Sequence, residues 1–340
     1  MVKCNLKLQD IKDVMRIGKN KEVVLSVDKS IDIVSILPMI KDRVLYVRKT
    51  IESDEQYSPE KKIIRADHIN LLNSKEVNIN GNTIISGERC IEINDEEDRE
   101  RDEINCFGEF KINAIVPFEE FKMATEIINH ADETDARPVL NTICLDENNL
   151  IALDGYRLGI RKLSSSTDEQ LLIPLYAINA LRKIKDKNGD LYIESNKEYI
   201  RFRLNNTGYE IVCDRREGKY VDYKGLIPQG DFKTEIKVKS EILRKISAEY
   251  KKTRVYHMVC NFNDELSTST AKLLGFTVSD KFETELKGES LEIGIQPQLV
   301  YDALKHYKGE VIIQMNGPIA PILISQGNKT NLILPVRLVK

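Results

Sequence analysis

A helix followed by a pair of strands recurs along this chain, and a repeat of that kind restricts the fold more than any single motif. The clearest copy runs Ile173-Pro174-Leu175-Tyr176-Ala177-Ile178-Asn179-Ala180-Leu181-Arg182-Lys183, then Leu191-Tyr192-Ile193-Glu194-Ser195 and Tyr199-Ile200-Arg201-Phe202-Arg203-Leu204. A later copy runs Ile295-Gln296-Pro297-Gln298-Leu299-Val300-Tyr301-Asp302-Ala303-Leu304-Lys305, then Val311-Ile312-Ile313-Gln314-Met315 and Pro321-Ile322-Leu323-Ile324. An earlier and weaker one runs Asp67-His68-Ile69-Asn70-Leu71-Leu72, then Val77-Asn78-Ile79-Asn80 and Thr83-Ile84-Ile85-Ser86.

Periodicity explains the pattern. Leu175, Ile178, Leu181 and Ile184 recur at helical spacing, whereas Ile200, Phe202 and Leu204 alternate with Arg201 and Arg203 as on a half-buried strand. A further helix is predicted ahead of each copy: Leu8 to Ile17, Phe118 to Asn129 and Ser240 to Tyr250. Helices and sheets that each present one apolar face must bury them together, so three α+β units follow, each with two helices packed on sheet. The units are expected at 1–108, 109–231 and 232–340. The run Asp95-Glu96-Glu97-Asp98-Arg99-Glu100-Arg101-Asp102-Glu103 cannot pack and reads as a solvated connector near the first boundary. Pro228-Gln229-Gly230-Asp231 closes the second unit by turn chemistry.

Chemistry is hard to find. The four histidines, His68, His130, His257 and His306, are dispersed. No Gly-rich phosphate loop, Ser-centred elbow or His-Glu-x-x-His segment is present. The six cysteines, Cys4, Cys90, Cys106, Cys144, Cys213 and Cys260, form no Cys-x-x-Cys pair, which argues for reduced, mostly buried thiols rather than a zinc site or a disulfide framework. Asp154 is the most tempting carboxylate. Its neighbours supply no base, nucleophile or second metal ligand, so it is read as a turn residue that bonds its own backbone between strands near Leu150 and Ile160. No catalytic, metal or cofactor site is expected. No apolar run reaches membrane-spanning length and the N-terminus has no signal-peptide block, so a cytoplasmic protein is expected.

Charge is nearly balanced, with 51 Lys+Arg against 54 Asp+Glu, so any nucleic-acid role depends on where the basic residues lie. They gather on helices. Lys12, Arg16 and Lys19 mark the first; Arg182, Lys183, Lys185 and Lys187 mark a helix predicted over Leu175–Lys187; Arg244, Lys245, Lys251, Lys252 and Arg254 follow Lys239 in the third unit. Each alone is an ordinary solvated face. Repeated in three units of an acidic chain, they suggest one surface that attracts phosphates.

Two fragments add a resemblance: Ala152-Leu153-Asp154-Gly155-Tyr156-Arg157-Leu158-Gly159, and Leu332-Ile333-Leu334-Pro335-Val336-Arg337-Leu338. Together with Ala136-Arg137-Pro138-Val139-Leu140-Asn141, Val221-Asp222-Tyr223-Lys224-Gly225-Leu226-Ile227-Pro228 and Leu291-Glu292-Ile293-Gly294-Ile295, they resemble the bacterial replicative sliding clamp, the beta subunit of DNA polymerase III. The likeness covers about Phe110 to Leu338; the first hundred residues share only the family's pattern. It implies an α+β chain of three clamp domains, each with two helices on antiparallel sheets, two chains closing head to tail as a homodimeric ring with helices in the bore. Double-stranded DNA would be encircled without sequence preference. The basic residues above, with Arg137, would face it. The partners implied are a DNA polymerase, other proteins carrying a clamp-binding motif, and a clamp loader.

Carried over residue by residue, the resemblance implies an apolar pocket for partner peptides made by Leu140, Gly155, Tyr156, Arg157, Leu158, Val221, Leu226, Ile319, Pro321, Leu332, Leu334, Pro335, Val336 and Arg337. Leu153 stands where the family usually has a small hydroxyl residue and Val221 where it usually has proline, while Val339-Lys340 extend past the usual end. Two other readings stay open: a clamp-like scaffold that binds peptides without encircling DNA, and a metal-dependent nucleic-acid enzyme, the latter disfavoured by the lack of a carboxylate cluster.

Overall fold

The structure, a computed structural model, describes residues 3–37, 44–53, 60–93, 107–131, 137–253 and 255–338. The acidic run Asp95–Glu103, Cys106, Ala136, Arg254 and Val339-Lys340 lie outside the described residues.

Among the described residues, one order of elements, strand, helix, then three strands, occurs six times in succession. Taken in pairs, these make three copies. The first begins with strand Lys3–Lys7 and helix Leu8–Gly18 and ends with strand Arg89–Glu92. The second runs from strand Lys111–Pro117 to strand Tyr209–Asp214, and the third from strand Thr234–Lys239 to strand Lys329–Ile333. Short 3-10 turns interrupt the order without changing it.

Packing cuts the chain differently, into two compact units: Met1–Thr125 with Ser164–Arg216, and Glu126–Leu163 with Glu217–Lys340. In the first, an eight-stranded sheet has the order Glu60–Arg65, Glu22–Val27, Ser30–Leu37, Leu45–Glu52, Tyr209–Asp214, Tyr199–Leu204, Asp190–Ser195, Lys111–Pro117. A four-stranded sheet runs from Lys3–Lys7 through Glu76–Asn80 and Thr83–Ser86 to Arg89–Glu92. Helix Leu8–Gly18 lays its buried Ile11, Val14 and Ile17 on the larger sheet and turns Lys12 and Arg16 outward, the stripe its periodicity prescribes.

The second unit carries the strands Thr142–Asp146, Asn149–Leu153, Arg157–Lys162, Lys329–Ile333, Ile322–Gln326, Glu310–Met315 and Thr234–Lys239 side by side. Phe276–Gly288, Glu265–Leu273, Met258–Phe262 and Leu291–Ile295 continue the order. Helices Ser240–Lys252 and Pro297–Leu304 close over a core that includes Leu243, Ile246, Tyr250, Leu299, Ala303, Leu304, Tyr307 and Ile313.

One pairing rule is shared by the two units. The fourth strand of the first copy, Leu45–Glu52, pairs antiparallel with the last strand of the second, Leu45 opposite Cys213. The fourth strand of the second copy, Arg157–Lys162, pairs in the same sense with the last strand of the third, Arg157 opposite Ile333.

Two predicted helices are shorter than their periodicity suggests. The Phe118 helix is α-helical only to Ala124 and tightens into a 3-10 turn over Thr125–His130. There the Thr125 hydroxyl donates to the Lys122 carbonyl at 2.7 Å, and Arg182 takes the Thr125 carbonyl at 2.7 Å. The helix predicted over Leu175–Lys187 stops at Lys183. Ile184 is extended yet fully buried, Asn188 N–H closes an Asx turn on Asp186 at 3.0 Å, and Gly189 takes a left-handed φ of 90°. Lys185 and Lys187 therefore lie beyond the helix, both exposed.

Candidate functional site

Strand register in the second unit puts four leucines in one row. Leu153 lies opposite Leu158, Leu158 opposite Leu332, and Leu332 opposite Leu323, so the four share one face of adjacent strands. All four are buried. This row is the floor of the candidate groove.

Its rim comes from the two fragments singled out in the sequence. Asp154 Oδ1 accepts from the backbone N–H groups of Tyr156 at 2.8 Å and Arg157 at 2.9 Å, and Asp154 N–H donates to the Arg157 carbonyl at 3.1 Å. The carboxylate is thus a turn former, as its setting predicts. Gly155 has no left-handed φ, so the Asp154 side chain and not glycine freedom holds the turn. Tyr156 is left 66% exposed and its carbonyl accepts from Leu334 N–H at 2.9 Å. Leu334 is 38% exposed and Ile319 67%. Beyond Leu334, Val336 N–H donates to the Gly294 carbonyl at 2.7 Å, and a Cβ on Gly294 would meet the Val336 carbonyl oxygen at 2.7 Å, so only glycine admits this approach.

A third segment is fastened across the hairpin made by Thr142–Asp146 and Asn149–Leu153. Tyr223 donates its hydroxyl to Asp146 at 3.0 Å, and Lys224 pairs with Glu147 at 2.8 Å. Burial first, then the bond and charge of Asp146, drives the Tyr223 phenol well above its usual range. The segment leaves Leu226 exposed and Val221 half-buried.

The fourteen sequence-derived pocket residues therefore divide. Leu158 and Leu332 are floor; Leu140 is fully buried at the 3-10 turn Pro138–Asn141 and offers no surface. Tyr156, Leu334, Ile319 and Leu226 are the exposed apolar members. Gly155 and Arg337 are exposed, and Pro321, Pro335 and Val336 half-buried. Arg157 faces away from the leucine row, because neighbouring residues on a strand point to opposite faces. Leu153 and Leu323 complete the floor and are missing from the sequence-derived set; the unbroken apolar run Leu150-Ile151-Ala152-Leu153, buried throughout, carries no mark of which partner strand lies alongside.

Behind the floor is a polar layer. Arg161, almost fully buried, donates to Glu126 at 2.7 Å and to Asn331 Oδ1 at 3.1 Å. Lys329 adds an ion pair to Glu126 at 3.2 Å, and Asn331 donates to the Ala303 carbonyl at 2.8 Å and to the Tyr307 hydroxyl at 3.1 Å. Gly159 permits this packing: a Cβ there would lie 2.9 Å from Ile127 Cγ2. His130 is buried beside Arg157 and Arg161, and burial, aided by those two charges, lowers it to about 3, leaving it neutral.

The basic residues also divide. In the first unit Arg16 donates to the Lys183 carbonyl at 2.9 Å, and Lys183 Nζ returns a bond to the Arg16 carbonyl at 2.6 Å. Burial, then the charges of Lys19 and Arg16, lowers the Lys183 ammonium; burial, then Lys187, Arg182 and Arg16, does the same to Lys122. Positive charge is crowded here, and Lys122 is a member the sequence reading missed. Lys19, Lys185 and Lys187 are exposed around it, with Asp13 and Glu119 as partial counter-charges, and Lys12 is exposed on the same helix as Arg16. In the second unit Arg244 caps the end of helix Pro297–Leu304 through the carbonyls of Lys305 at 3.4 Å and Tyr307 at 3.2 Å. Lys251 sits over the Tyr301 ring at 4.6 Å, while Lys245, Lys252 and Arg137 are exposed. Among the described residues no three His, Cys, Asp or Glu side chains gather as metal ligands, and no helix is long and apolar enough to cross a membrane.

The fold has clear relatives. The chain superposes on the DNA polymerase sliding clamp from Pseudomonas aeruginosa with a TM-score of 0.85 at 15% identity, covering 99% of this chain and 100% of the other. The beta subunit from the DNA polymerase of Streptococcus pyogenes gives the same TM-score, 0.85, at 15% identity and the same coverage. The fold is that of the bacterial sliding clamps. In sequence, the chain is 29% identical over 224 residues to the Beta sliding clamp of Bacillus subtilis (strain 168), a match spanning 60% of this chain and 58% of the relative. No family model matches.

Proposed function

We propose that the chain is a DNA sliding clamp: two copies close head to tail around duplex DNA, and the groove tethers a DNA polymerase and other replication or repair proteins by short apolar peptides. Its role is tethering, without catalysis, cofactor or metal, among soluble partners where DNA is copied. The domains we propose are 1–108, 109–231 and 232–340, in line with the threefold element order.

The observation that carries this reading is the pairing rule. The fourth strand of one copy joins the last strand of the next, twice. Two strands are left over: Phe276–Gly288, the fourth of the third copy, and Arg89–Glu92, the last of the first. Arg89–Glu92 pairs only with Thr83–Ser86 among the described residues. Phe276–Gly288 pairs with Glu265–Leu273 from Phe276 to Thr284, and with Thr234–Lys239 only from Glu285 onward. Among the described residues the first and third copies thus each carry an open edge, and open edges of unlike identity suit a heterologous contact that closes a ring. The crowded cations around Lys183 and Lys122 support a phosphate-facing surface, since an anion relieves their repulsion without reading bases.

Light scattering should give twice the 39.0 kDa chain mass. Protein loaded on nicked circular DNA should survive high salt and leave when the circle is cut, because encirclement, unlike phosphate contact, is not screened. Retention unaffected by cutting would exclude the ring.

A further inference from the structure

Arg157 follows the exposed Tyr156, yet its side chain points away from the groove. Its guanidinium donates to Asp154 Oδ2 at 2.9 Å, to Asp302 Oδ2 at 2.7 Å and to the Asn129 carbonyl. The Asp154 bond is local and moves with the turn. Asp302 is different, because it stands on helix Pro297–Leu304 and is the carboxylate that ties the turn to the helix layer.

We propose that Asp302 is a positioning residue for the peptide groove, holding Arg157 and thereby the Tyr156 rim and its bond to Leu334. The inference rests on the reading of this face as a peptide groove. Arg157 lies opposite Ile333, the residue before Leu334, so a shift of the guanidinium is transmitted directly to the rim contact between Tyr156 and Leu334. Asp302 is itself held: Gln298 Nε2 donates to the same Oδ2 at 2.7 Å, and Lys305 Nζ lies 3.8 Å from Oδ1. Burial alone would raise its carboxyl, but the bonds from Gln298 and Arg157, with the charges of Arg157 and Lys305, hold it below its usual range. Both side chains of the Arg157–Asp302 pair are largely screened from solvent, at 15% and 11% exposure, so water is a poor substitute for either partner. With the Asp302 charge removed, Arg157, Arg161 and Lys305 surround a neutral His130 with no opposing charge from that helix, and Arg157 is repelled toward solvent at the turn.

The chain contains no tryptophan, so Tyr156→Trp creates a single emission reporter on the rim. In that background Asp302→Asn should shift the emission maximum with no ligand present, while Asp302→Glu should restore most of it, which a general loss of packing would not allow. In the otherwise unaltered chain, Asp302→Asn should weaken binding of a labelled Gln-x-Leu-x-Leu-Phe peptide about tenfold, and Gln298→Ala, which only loosens Asp302, should weaken it by a smaller factor. Unchanged emission together with unchanged affinity in a chain that binds the peptide overturns the role of Asp302 and leaves the groove standing. If the unaltered chain does not bind the peptide, the groove reading fails and this inference falls with it.

Discussion

Leu334 N–H donates to the Tyr156 carbonyl at 2.9 Å, joining two segments that lie far apart in sequence. The bond continues the ladder in which Leu158 faces Leu332, so one register sets both the buried floor and the exposed rim. An apolar surface with a buried floor and a projecting aromatic is what a peptide's leucine or phenylalanine anchor needs, since anchors of that kind dominate binding energy.

Floor and rim should therefore respond differently to mutation. Leu334→Asp, at an exposed site, should fold normally and weaken peptide binding by about 2 kcal/mol or more, read by fluorescence anisotropy. Leu158→Asp places a carboxylate at a site only 2% exposed and should show its effect as a lower urea midpoint; even Leu158→Ala should cost about 2–5 kcal/mol of stability. A folded Leu334→Asp protein with undiminished affinity would remove Leu334 from the groove.

Much of this was legible in the sequence. Helical spacing located the helices that begin at Leu8, Phe118, Leu175 and Ser240, because an amphipathic stripe is a local property, and the repeat placed those at Ala66 and Pro297. Asp154 was readable as a turn former for the same reason. Helix ends were not: Thr125 and Ile184 leave the α-helix through contacts with Arg182 and with the core. Nor was the division of the basic residues, since Arg244 resembles Lys245 in sequence until the Lys305 and Tyr307 carbonyls are placed beside it. The floor leucines Leu153 and Leu323 needed a register running through four strands, a property no single segment encodes.

His130 gives a pH dependence with a definite sign. Burial, then Arg157 and Arg161, lowers it from 6.5 to about 3, so the unfolded chain takes up a proton that the folded chain refuses. The stability this group confers is fully present above pH 6.5 and is lost progressively as pH falls toward 3, by about 1 kcal/mol per pH unit in mid-range. His130→Leu removes the titrating group. Urea midpoints of the two proteins between pH 7.5 and 4.5 should converge or cross as pH falls; a constant difference would show that His130 does not titrate abnormally.

The pairing rule makes a cross-linking prediction that separates a ring from any other dimer. Cys90 is exposed on Arg89–Glu92, the last strand of the first copy, which pairs on one side with Thr83–Ser86 and has no second partner strand among the described residues, whereas Cys4, Cys144, Cys213 and Cys260 are buried. Burial raises Cys144, Cys213 and Cys260 well above the ordinary thiol range, so they react slowly with maleimides. Ser279 is exposed on Phe276–Gly288, the fourth strand of the third copy, where it lies opposite Thr270 and has no partner strand on its other side among the described residues. If these edges meet across two chains as Leu45–Glu52 meets Tyr209–Asp214 within one, Ser279→Cys and a short bismaleimide should give a covalent two-chain species on a denaturing gel, and closed rings should carry both links. In a background where Cys106, outside the described residues, is replaced by Ala, adding Cys90→Ala should abolish it. The yield should follow dimer content on dilution, since only assembled chains bring the two edges together. A protein that is dimeric by light scattering yet fails to cross-link would pair through another surface, and the closure argued from the strand order would then be wrong.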